Sequence, residues 1–158
     1  MKEQKYRQTL IEFLQQGAAH LPVKDILSNI KAENRHKRFA ASVHTIWEEL
    51  EHLRIAQEDI LRYTQDPSWQ SPDWPQGYWP ADTTELTESK WQKSLKSFFT
   101  DFDEVCAFVE NSAIDLADTI PHGQWRTYLR EILLIIDHNS YHLGKIVQLR
   151  KLLGDWPG

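Results

Sequence analysis

Cysteine, glycine and concentrated positive charge are all scarce in this chain, and each scarcity excludes a class of protein. A single cysteine, Cys106, permits no intramolecular disulfide and fits a reducing compartment. Six glycines among 158 residues form neither a phosphate-cradling loop nor a Gly-x-Ser-x-Gly nucleophile elbow. The formal net charge is −5, and the one basic cluster is the short run Arg35, His36, Lys37 and Arg38. General nucleic-acid binding needs a concentrated basic surface that displaces counterions, so no nucleic-acid partner is expected. That cluster reads as a solvated loop between two helical patterns. No apolar run approaches the roughly 18 residues of a membrane span. The opening residues, MKEQKYRQTLIEF, alternate charge with apolar side chains and lack the continuous core of a signal peptide. A cytoplasmic location follows as the expectation.

What the chain does contain is unusual: seven Trp and seven His. Apolar residues recur with the 3.6 period and no segment alternates convincingly, which predicts an all-α domain spanning 1–158. A first helix is expected over about 3–16, with Tyr6, Leu10, Phe13 and Leu14 on one side and Gly17 as its stop. A short helical stretch follows from Pro22 to about Ile30. Longer helices are expected over about 42–64, 84–111 and 126–153. In the third long helix, Trp91, Leu95, Phe98, Phe102, Val105, Cys106 and Val109 form an apolar stripe, with Thr84 as a cap. Cys106 on that stripe reads as a buried thiol rather than a nucleophile. The last helix ends at Gly154. Residues 65–83 interleave Pro67, Pro72, Pro75 and Pro80 with Trp69, Trp74, Tyr78 and Trp79. Proline restricts the backbone and the rings supply area to bury, so an ordered crossover packed on the helices is expected.

The strongest chemical signal is His138-Asn139-Ser140-Tyr141-His142. Residues four apart on a helix lie about 40° apart around the axis and about 6 Å along it. Two imidazoles so placed can reach one metal ion at about 2.0–2.1 Å. The pair shares a strip with Ile135, Ile146, Leu149 and Leu153, while Arg130, Asp137, Gln148 and Lys151 occupy the opposite strip. Buried imidazoles need partners. A metal ion would serve both, and so would hydrogen bonds to carboxylates or water. For a third ligand the second long helix offers two histidines. His44 shares a charged strip with Glu51, Arg54, Glu58 and Arg62, whereas His52 lies with Glu48, Ile55 and Asp59 and beside Ala56, Ile60 and Tyr63. His52 is the better ligand. Three histidines leave a coordination position open, as catalytic sites do. Glu48, Asp59 and Glu131 are candidates for orienting a ring or for a general base, or else are ordinary salt-bridging side chains. The pair lacks the Glu of His-Glu-x-x-His, so that metalloprotease motif is absent.

The run His44-Thr45-Ile46-Trp47-Glu48-Glu49-Leu50-Glu51-His52-Leu53-Arg54-Ile55-Ala56-Gln57 with Asp59-Ile60-Leu61, then Tyr78-Trp79-Pro80, then Arg130-Glu131-Ile132-Leu133 leading into Asp137 to Gly144, resembles the DinB-like superfamily, also called YfiT-like metal-dependent hydrolases. The resemblance covers nearly the whole chain. It implies an up-down-down-up four-helix bundle with a long crossover, often a homodimer. It implies one divalent ion, nickel, zinc or manganese, held by His52, His138 and His142. It also implies hydrolysis, or transfer involving a low-molecular-weight thiol, on a small-molecule substrate. The competing class is a non-catalytic metal-binding or interaction protein. Nothing functional carries onto residues 35–38.

Overall fold

The computed structural model describes residues 2–41, 43–81 and 86–157. These residues form six α-helices and one 3-10 turn, with no strand among them beyond an isolated bridge between Thr119 and Thr127. Four helices are long: α1 (Lys2–Gln16), α4 (Ile46–Gln65), α5 (Glu88–Glu110) and α6 (Tyr128–Leu152). Two are short, α2 (Val23–Leu27) and α3 (Ala32–Arg35), and the 3-10 turn is Gln76–Tyr78. No described helix is long and apolar enough to cross a membrane.

The helix ends follow from side-chain chemistry. Gly17 adopts φ +72° directly after α1, and a Cβ there would meet the His20 ring at 2.5 Å. Gly154 takes φ +68° after α6. Both are the left-handed positions that glycine fills without a steric cost. At the start of α4, Thr45 Oγ1 accepts from the Glu48 N–H at 3.1 Å, and the Glu48 carboxylate accepts from the Thr45 N–H at 2.6 Å. This capping box sets the start at Ile46 rather than near 42, so His44 precedes the helix. Thr87 caps α5 by accepting from the Lys90 N–H. The helix therefore begins at Glu88, and Thr84 lies outside the described residues.

Packing centres on α4, which contacts both α5 and α6, while α1 lies on α5. The stripe on α5 is in the core, with Trp91, Phe98, Phe102, Val105, Cys106 and Val109 all buried. Two expected faces need correction. On α1, Leu10 and Leu14 are buried, but Tyr6 is 69% exposed and Phe13 is also exposed. The cause is Arg7, one turn before Leu10. Its buried guanidinium donates to the carbonyls of Val109, at 2.5 Å, and Ile114 and so takes a place on the inner face. On α4, the strip expected to be solvated holds buried Glu51 and half-buried Arg54, Glu58 and Arg62. With α5 and α6 both against it, α4 has little open circumference. Its charges are paired: Arg54 with Glu51 and Glu58 at 3.0 Å, and Arg62 with Asp101 at 2.8 Å and Glu104 at 2.9 Å.

One carboxylate on α4 holds two side chains of residues 66–81. Asp59 accepts from Trp69 Nε1 at 2.8 Å and from the Tyr78 hydroxyl at 2.6 Å. Burial and the Asp59 charge push the Tyr78 hydroxyl up to about 12, so it stays a donor at neutral pH. The rings are not uniformly buried. Trp69, Tyr78 and Trp79 are partly covered, whereas Trp74 is 76% exposed.

Candidate metal centre

The packing of α4 on α6 brings His52 against the pair one helical turn apart, His138 and His142. Ring centroids are 4.8 Å apart for His52 and His138, 4.3 Å for His52 and His142, and 4.5 Å for His138 and His142. One ring nitrogen from each lies within 4.8 Å of the others. The Nε2 atoms of His52 and His138 are 3.0 Å apart. Nitrogens about 2.05 Å from a tetrahedral ion sit about 3.3 Å from one another, close to the 3.0 Å between these two atoms.

Two of the three rings have their orientation set. His52 Nδ1–H donates to the Tyr78 carbonyl at 2.8 Å, leaving the Nε2 lone pair inward. The ring also stacks on Trp79 at 4.1 Å with 5° between planes. His142 Nδ1 hydrogen-bonds buried Glu49 Oε2 at 2.6 Å, which leaves its Nε2 for a ligand role. A ligating histidine commonly has its second nitrogen held in this way. His138 differs, since its Nδ1 is buried without a partner.

Electrostatics favour the ligating form of His52 and His138. Burial pushes His138 down to about 4, with His142 and His52 adding to the effect. Burial also lowers His52, helped by His142 and opposed by the Tyr78 carbonyl and Glu49. Neutral imidazoles are the species that bind metals. Burial alone would raise Glu49, but the His142 hydrogen bond and nearby Lys145 outweigh it and hold the carboxyl below its ordinary range.

These observations fit a divalent cation. With His52 Nδ1 donating outward, its Nε2 carries a lone pair facing His138 Nε2 at 3.0 Å. A proton on His138 Nε2 would satisfy that contact but leave the buried Nδ1 a lone pair with no donor. A cation shared by the inward lone pairs takes the place of that proton, and His138 then carries its own on Nδ1. Three neutral nitrogen donors suit several divalent ions.

The three candidate carboxylates are engaged by other partners. Glu48 is engaged by the Thr45 N–H and by Arg38 at 2.6 Å. Asp59 anchors Trp69 and Tyr78. Glu131 is buried and paired with Arg130 at 2.7 Å, beside Leu61, Thr64 and Ile135. None of the three joins the group of ligand-distance side chains, which among the described residues consists of the three histidines. His44 stands outside it, partly exposed, 3.2 Å from Glu49 Oε1 and with its ring tilted 40° against Trp79 at 3.8 Å. Cys106 is buried in the core, and burial followed by the charges of Asp103 and Glu110 pushes its thiol up to about 11.

Glu49, Trp79 and the Tyr78 carbonyl were not singled out by sequence. Glu49 was legible in principle, because it precedes His52 by three residues on the same helix face. A backbone carbonyl leaves no signal in residue identity.

Comparison with curated proteins and with solved structures gives no match. A family model of the DinB superfamily matches residues 23–146, a span that includes His52, His138 and His142. With that match over most of its length, the chain belongs to the DinB superfamily.

Proposed function

We propose that this protein binds one divalent metal ion through His52, His138 and His142 and uses it on a small-molecule substrate, in hydrolysis or in transfer of a low-molecular-weight thiol. The observation that carries the reading is the convergence of three imidazoles whose ring nitrogens lie within 4.8 Å of one another. Nickel, zinc and manganese are the candidate ions, since His₃ sets accept several and availability selects among them. When bound, the ion supplies Lewis acidity. His52 and His142 would hold it with rings already oriented by Tyr78 and Glu49. Trp79, stacked on His52, would keep water from that side of the ring. Cys106 takes no part, so the attacking sulfur of a thiol transfer belongs to a cosubstrate. An up-down-down-up four-helix bundle and a homodimer, drawn from the family, and a cytoplasmic setting, drawn from the sequence, complete the proposal.

The test is a panel of electrophiles with and without small thiols, run beside ester and amide substrates. Turnover should vanish with chelator, return with zinc, nickel or manganese, and survive Cys106→Ser. Turnover by metal-free protein, or turnover that needs Cys106, contradicts the mechanism. A metal-loaded protein inert across the panel is a non-catalytic metal-binding protein instead.

A further inference from the structure

We infer that Glu49 is the positioning residue of this centre: it holds His142 in its ligating orientation and places a compensating negative charge behind it. The inference rests on the metal-binding reading above and adds a residue that reading does not require. Glu49 is only 2% exposed, so its carboxylate depends on protein partners. The two oxygens are divided between two environments. Oε2 points inward and takes the His142 Nδ1–H at 2.6 Å, a short charge-assisted contact. Oε1 faces the partly exposed His44 at 3.2 Å and Lys145 at 3.5 Å. The two outer groups therefore occupy one oxygen and leave the other to His142.

The placement of Glu49 on the chain strengthens the argument. It lies in the first turn of α4, directly after the capping residue Glu48 and one turn before His52. One helix thus supplies a ligand of its own and the support for a ligand on α6. Three neutral imidazoles leave a dication its full charge in a buried site, and a fixed carboxylate one ring away offsets part of it. An ordinary buried ion pair would stabilise the fold without this effect, and the two roles separate experimentally.

Zinc affinity is measured by competition with a chromophoric chelator, and ligand geometry by the visible spectrum of the cobalt(II) form. Glu49→Met fills similar volume without accepting a hydrogen bond. It should weaken zinc binding by about 10- to 100-fold and shift the cobalt spectrum. Glu49→Gln, which retains an acceptor oxygen, should recover part of the loss. Should Glu49→Met fail to fold, Glu49→Asp, shorter by one methylene, must show the weakened binding. Wild-type affinity and an unchanged spectrum in the folded Glu49→Met or Glu49→Asp protein, with His142→Ala losing metal, overturns the role of Glu49 and leaves the metal reading standing. Metal retained by His142→Ala overturns the reading itself.

Discussion

His138 is the member of the triad with the least support, its buried Nδ1 having no partner while His52 and His142 are each held by an acceptor. A bound ion would be its main partner, so His138→Ala and His142→Ala should each lose most of the metal while His44→Ala keeps it. Elemental analysis of the three variants checks this. A pH effect follows from the same residue. Burial lowers His138 from 6.5 to about 4, so between those values the unfolded chain binds more protons than the folded one. The metal-free fold should lose stability as pH falls through that window, with no effect from this residue above it. Thermal melts of chelated protein should show the loss, and His138→Gln should reduce it. Melts with the same pH profile in both proteins would contradict the assignment. At this scale the sequence was informative where helix geometry governs. The wheel put His138 and His142 on one strip, and the structure brings both to His52; it did not apply to His44, which precedes α4. Spacing put Glu49 on the face of His52, but its partner His142 on α6 was not visible in that spacing.

Individual elements depend on a few side chains that can be tested one at a time. The Thr45–Glu48 capping box satisfies backbone N–H groups at the buried start of α4. Thr45→Ala should cost about 1 kcal/mol of stability, read from denaturant unfolding. Asp59 is the shared acceptor for Trp69 and Tyr78, and Tyr78 holds His52 through its carbonyl. Asp59→Ala should speed proteolysis within residues 66–81 and also weaken metal binding. Faster cleavage with unchanged affinity would show that this segment does not position His52. Periodicity gave all four long helices but set the starts of α4 and α5 too early, because the 3.6 pattern extends into residues that precede the caps. On α1 it favoured Tyr6 and Phe13 for the core, and the long reach of Arg7 to carbonyls beyond the helix decided otherwise. Proline and tryptophan spacing indicated an ordered connection over 65–83, of which 82 and 83 lie outside the described residues, but could not say that Trp74 would remain outside.

At the scale of the whole molecule, the basic run at 35–38 is used inside the chain, with Arg35 bound to Glu88 at 2.5 Å and Arg38 to Glu48 at 2.6 Å. Several large apolar side chains remain outside the core, among them Tyr6, Phe13, Trp125, Leu133 and Tyr141. Exposed apolar surface of this kind accords with the proposed homodimer. Light scattering at micromolar concentration and moderate salt should give twice the chain mass of 18.6 kDa, and a monomer would refute it. The central claim concerns one ion held between α4 and α6, and it is tested most directly by titrating chelated protein with zinc while following both stoichiometry and melting temperature. The account predicts saturation at about one ion per chain with a raised melting temperature, since a ligand that binds only the folded state stabilises it. Both effects should be lost in His142→Ala. Saturable binding that is equally strong in His142→Ala, or no binding by the wild type, would contradict it.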